Sequence, residues 1–98
     1  MPTTRIIKSE RAEHLAEILK AIAHPLRLRL VALLAEKEQC VTELAEQLGV
    51  NQAIASQQLR ILRMRGLVAV SRSNGFANYR LAEPRLINLL ECIEGCRR

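Results

Sequence analysis

A chain of 98 residues makes one domain of modest size, and no apolar run reaches the roughly 18–20 residues a bilayer crossing requires. Hydrophobic residues make up 49% of it but aromatics only 2%, Phe76 and Tyr79, so Leu, Ile, Val and Ala must build the core, which favours packed helices over an aromatic-rich sandwich. The net charge of +5 lies entirely between Gln47 and Ala82, where Arg60, Arg63, Arg65, Arg72 and Arg80 meet no acidic residue, while the other ten basic residues are matched by the ten glutamates.

The first residues, Met1 to Lys8, are too short and polar for a secretory leader, and a cytoplasmic location with no membrane partner is the expectation. The first helix is expected from Ser9, as N-cap, to His24; Leu15, Ile18, Leu19 and Ile22 form its apolar stripe and Pro25 ends it. Pro25 suits the first turn of a second helix, with Leu28, Val31 and Leu34 on one face and Leu30 and Leu33 beside them. That helix is nearly all apolar apart from Arg27 and Arg29, and is expected to be central.

A polar connection, Glu36 to Gln39, leads to a third helix capped by Thr42. Leu44, Ala45 and Leu48 should face inward, and Gly49 supplies a left-handed stop. Asn51 caps a fourth helix whose buried stripe is Ala55, Leu59 and Leu62 and which Gly66 ends. Two short helices joined by Gly49-Val50-Asn51 read as a helix-turn-helix over residues 42–65. The period then shortens toward two: Leu67, Val68 and Val70 start a strand, Asn74-Gly75 suits a type I′ turn, and Ala77, Tyr79 and Leu81 alternate inward on the return. This hairpin, residues 67–81, is a wing. A last helix, 84–95, opens at Pro84 and carries Leu86, Ile87, Leu89, Leu90 and Ile93 up to Gly95.

The fold class expected is therefore mainly α with a small β-hairpin: a winged helix-turn-helix of five helices spanning residues 1–98 as one domain. The apolar stripes of helices 9–24 and 84–95 exceed what so small a unit can cover, which predicts a two-fold homodimer formed by these helices.

The fourth helix presents Gln52, Ser56, Arg60 and Arg63 on one side, with Gln57 alongside. Gln can bond adenine bidentately, Ser can meet base edges or phosphate, and Arg suits guanine or phosphate. Gln52, Ser56 and Gln57 are the base-reading candidates; Arg60, Arg63 and Arg65 would position the helix on phosphates; Arg72, Asn74 and Arg80 would reach the neighbouring backbone or minor groove from the wing. Net positive charge confined to one acid-free segment, all of it carried by arginine, is the footprint of a polyanion binder, and double-stranded DNA is the partner expected. The competing readings are an ordinary solvated basic face and a winged-helix module for protein or RNA.

His24-Pro25-Leu26-Arg27-Leu28, Val41-Thr42-Glu43-Leu44-Ala45, Ser56 to Arg63, Gly66-Leu67-Val68 and the wing Arg72 to Leu81 together resemble the ArsR/SmtB family of repressors, over about Leu15 to Cys96. The resemblance implies a dimeric repressor on a palindromic operator near a promoter, released when an effector lowers its DNA affinity. One departure is Gln58, where many members carry His, which bears on one backbone contact.

Cys40, Cys92 and Cys96 are the soft-ligand residues. Cys92 and Cys96 are four apart and share a helix face if the helix continues past Gly95, so they could hold arsenite or another soft metal ion, or act as a reversible oxidation switch. The remaining reading makes all three small buried hydrophobes. No cofactor is required. Arsenite-sensing relatives often carry Cys-Val-Cys where this chain has Cys40-Val41-Thr42, so one ligand is missing. Sulfide- and redox-sensing members pair a cysteine of the second helix with one of the last; Val31 stands at the former position, and Cys92 and Cys96 lie near the latter. The zinc and nickel sites of the family use Asp and His in the last helix, which has neither here. His14 and His24 are isolated, and His24, before Pro25, reads as a capping or packing residue. With no Asp, no His pair, no glycine-rich phosphate loop and no nucleophile beside a base, the chain is not expected to be an enzyme.

Overall fold

The computed structural model describes residues 8–95. In chain order these form α1 (Ser9–Ile22), α2 (Pro25–Glu36), β1 (Gln39–Cys40), α3 (Val41–Leu48), α4 (Gln52–Met64), β2 (Val68–Ser73), β3 (Phe76–Leu81) and α5 (Arg85–Glu94). The three strands make one antiparallel sheet in the order β1-β3-β2. No described helix is long and apolar enough to cross a membrane.

The expected central helix is central. Leu30, Val31 and Leu34 of α2 are buried, and they pack with Leu44 and Leu48 of α3, Leu59 and Leu62 of α4, and Leu67 and Val68 at the entry to the wing. Both α1 and α5 rest on α2, the first through Ala21 and Ile22 and the second through Leu86. Leu28, expected on the inner face, is instead 39% exposed. Leu30 takes the inward place, because only about a third of a helix's circumference faces any one core.

Helix ends differ from expectation in ways that local chemistry explains. Ser9 is the first helical residue rather than the cap, and Lys8 stands at the cap without a side-chain bond. α1 ends at Ile22, two residues before His24, because Pro25 forces His24 into extended backbone (φ −151°, ψ 128°). His24 then caps α2, its Nδ1 accepting from the backbone N–H of Leu26 at 3.2 Å, with Pro25 in the first turn. α3 begins at Val41, so the cap is Cys40 rather than Thr42. The carboxylate of Glu43 reaches back to accept the N–H of Cys40 at 3.1 Å, which completes a capping box. Pro84 occupies the cap of α5 instead of its first turn.

The connection from Glu36 to Gln39 is more than a polar linker. Gln39 and Cys40 form a third strand, opposite Tyr79 and Asn78 of β3. Gln39 is 2% exposed, and its buried amide is satisfied: it donates to the carbonyl of Leu33 at 3.1 Å and accepts from Nε2 of Gln47. A paired amide at that depth ties the end of α2 to α3.

The hairpin is as expected. Asn74 and Gly75 both have positive φ, 53° and 80°, as a type I′ turn requires, and Ser73 faces Phe76 across it. Tyr79 and Leu81 pack against the core.

Candidate nucleic-acid interface

The turn between α3 and α4 sets the direction of the second helix. Gly49 adopts the left-handed conformation (φ 71°), and the N–H of Val50 returns to the carbonyl of Ala45 at 3.1 Å, closing the end of α3. Two residues later Asn51 Oδ1 accepts the N–H of Ile54 at 2.9 Å and starts α4. Ala55, Leu59 and Leu62 bury one side of α4, as the periodicity predicts.

The other side of α4 is exposed along its length. Asn51, Ala53, Ile54, Ser56, Gln57 and Arg60 line a shallow, open concavity of about 500 Å³. Three of the residues singled out from sequence, Ser56, Gln57 and Arg60, therefore converge. Gln52 and Arg63 are exposed on the same helix but outside that concavity. Arg65 is the cap residue after α4, and its Nη1 is 3.1 Å from Oε1 of Glu17 on α1, so part of its charge is already answered within the chain. Gln58 is not on the open face: its Oε1 accepts from Nη1 of Arg27 at 2.9 Å.

Sequence reasoning overlooked Ala53 and Ile54, which share the concavity with the polar residues. Ile54 is 39% exposed, and apolar side chains in such a place suit the methyl group of thymine. The available signal was that neither belongs to the 55-59-62 stripe.

The wing divides its basic residues between its two faces. Arg72 sits opposite Ala77, in the row that carries Val68, Tyr79 and Leu81 toward the core; Arg80 sits opposite Ala69, in the other row. Both are exposed. Asn74 forms the tip, and Phe76, 65% exposed, follows the turn.

The two described thiols lie on separate elements. Cys40 is half-buried at the β1–α3 junction, Cys92 is exposed on α5, and both are free. Cys96 lies outside the described residues, so the proposed 92–96 pair falls partly beyond them. Among the described residues no three His, Cys, Asp or Glu gather closely enough to hold a metal ion. His14 lines a hollow of about 300 Å³ between α1 and α5, together with Leu15, Ile18, Leu19, Leu86 and Leu89. Above that hollow Glu83 accepts from Nε and Nη2 of Arg85 at 2.7 and 3.1 Å, and this bond to Arg85 holds the Glu83 carboxyl below the ordinary glutamate range.

Residues 24–70 match the model of the bacterial regulatory protein, arsR family. The chain is 40% identical over 90 residues to the biofilm growth-associated repressor of Xylella fastidiosa, covering 92% of this chain and 79% of that protein. It is similar in structure to the homodimeric winged helix-turn-helix DNA-binding domain from Mycobacterium bovis (31% identity, TM-score 0.79, 97% of this chain and 91% of that one). It is also similar to the AntR antimony-specific transcriptional repressor (29% identity, TM-score 0.82, 97% and 89%). The Xylella fastidiosa protein and AntR are repressors, and the matched family is one of regulatory proteins, not enzymes.

Proposed function

The chain belongs to the arsR family of bacterial regulatory proteins, and on that footing we propose that it is a homodimeric DNA-binding repressor released from its operator by an effector sensed at cysteine thiols. The observation that carries the DNA-binding part is the exposed face of α4, where Ser56, Gln57 and Arg60 converge on a helix that carries no acidic side chain. Helix N-termini favour phosphate, and the residues just inside the cap are those that reach base edges in a major groove. Gln52, Ser56 and Gln57 read bases; Arg60, Arg63 and Arg65 neutralise phosphates; Arg72, Asn74 and Arg80 extend the contact from the wing. Arg72 and Arg80 lie in opposite rows of the wing, which supports their meeting different stretches of backbone.

Dimer formation is supported by what α1 and α5 leave uncovered. Leu19 is 53% and Ile93 54% exposed, and an open groove runs between α2 and α5 past Leu28, Ala32, Ile87 and Leu90. Contiguous exposed apolar side chains of this kind mark an interface, and the Mycobacterium bovis neighbour is homodimeric. The interface proposed here thus includes Leu28 of α2 besides the first and last helices.

The effector reading rests on Cys92, an exposed thiol on α5 beside that interface. Oxidation or a reactive sulfur species is the first reading. A soft metalloid is the second, favoured by the likeness to an antimony-specific repressor. Band-shift titration on the DNA upstream of its own gene, with a salt series, tests the DNA-binding part. Retention of one duplex by two chains, weakening steeply with salt, is expected; a monomer indifferent to duplexes at low ionic strength overturns it. Intact mass after peroxide or polysulfide, beside an antimonite titration of the reduced protein, separates the effectors. Full release by every candidate in a Cys92→Ser, Cys96→Ser variant overturns thiol sensing at these two cysteines.

A further inference from the structure

Two side-chain links join α1 to the reading helix, and they meet it at different heights. Arg27, in the first turn of α2, donates from Nε to the carbonyl of Ala21 and from Nη1 to Oε1 of Gln58, 2.9 Å away on α4. Ala21 is in the last turn of α1, where carbonyls have no intrahelical donor and the helix dipole is negative, so a guanidinium is the apt partner. Arg65 supplies the second link, pairing with Glu17 of α1 from the far end of α4 at 3.1 Å. That pair is about half exposed and correspondingly weak. The Arg27 bridge is part-buried, and a guanidinium holds its donors in one rigid plane, so it fixes angle as well as distance. Gln58 is the one polar side chain of α4 that is drawn in from solvent, and this bond accounts for it.

We propose that Arg27 is a positioning residue: through Gln58 it sets the angle of the reading helix on α1, and thereby the separation of the two reading helices in the dimer. This deepens the function proposed above and rests on it, since it takes α1 to lie at the two-fold interface. The consequence is a preference for one spacing of operator half-sites, because two reading helices held rigidly match only one phase of the duplex.

The test compares the unaltered protein with Gln58→Leu, Gln58→Glu and Arg27→Leu on duplexes whose half-sites are separated by the preferred spacing or by one base pair more. Couplings carried by such contacts span roughly 2- to 30-fold, so Gln58→Leu should lower the ratio of the two affinities by a factor in that range. Gln58→Glu keeps an acceptor for Arg27 and should retain the ratio. Arg27→Leu combined with Gln58→Leu should be no worse than either alone. A ratio unchanged by Gln58→Leu, or equally lowered by Gln58→Glu, overturns the proposal. Amide hydrogen exchange in the free protein gives a readout independent of DNA: faster exchange in α4 for Gln58→Leu but not for Gln58→Glu is expected, and equal exchange in all three proteins contradicts the tie. Should the unaltered protein ignore duplexes altogether, the function above fails while hydrogen exchange still judges the tie.

Discussion

Asn51 accepts the backbone N–H of Ile54 at 2.9 Å and so fixes the turn of α4 from which Gln52, Ser56 and Gln57 are presented. Removing that acceptor exposes an orphan donor at the start of the helix. Asn51→Ala is expected to cost about 1 kcal/mol of stability, within the usual range for a lost N-cap. Urea denaturation measures it, and Asn51→Asp, which keeps the acceptor, should lose little.

Two glycines at helix ends should respond in opposite directions. Gly49 has φ 71°, a conformation in which a Cβ is strained even though open space surrounds it, so Gly49→Ala should destabilise by about 1–2 kcal/mol. Gly95 is right-handed (φ −73°, ψ −12°), and a Cβ there would meet only ordinary contacts at 3.5 and 3.6 Å. Gly95→Ala should therefore stabilise, by about 0.4–1 kcal/mol, through the unfolded chain. Thermal melts at one fixed protein concentration compare the two, since dimer formation makes the midpoint concentration-dependent.

Acid should loosen the start of α5. The Glu83 carboxyl is held below its ordinary value, chiefly by its hydrogen bond to Arg85. A depressed carboxyl contributes stability that is present above the unfolded value and is lost as pH falls through the folded one. The difference in melting temperature between the unaltered protein and Arg85→Gln should thus be present at neutral pH and vanish in acid below the glutamate range. A difference that stays constant with pH contradicts this assignment. The pair is solvent-accessible, so the effect is small.

Regular elements with strong periodicity were legible before the structure. Ala55, Leu59 and Leu62 are buried as their spacing demands, and Asn74-Gly75 makes the turn its chemistry demands, because in both cases local preference and tertiary packing agree. The two-residue strand Gln39–Cys40 was not legible. Its composition is polar, and it exists only because β3 lies alongside, which no local pattern encodes. Leu28 was misplaced because α2 is apolar almost all round, which leaves the phase of its buried stripe undetermined. At the site, spacing found Ser56, Gln57 and Arg60 together, whereas the long-range bonds of Gln58 to Arg27 and of Arg65 to Glu17 depend on the fold.

Whether the open face of α4 is a DNA-reading surface is tested most directly by affinity for the upstream duplex measured against salt, for the unaltered protein, Arg60→Ala and Gln57→Ala. Each phosphate neutralised adds about 0.9 to the steepness of log affinity against log salt. Arg60→Ala should weaken binding to all sequences and flatten the line by about one unit per protomer, while Gln57→Ala should keep the slope and change which sequence is preferred. Parallel lines for all three proteins, with no change in sequence preference, would contradict the account.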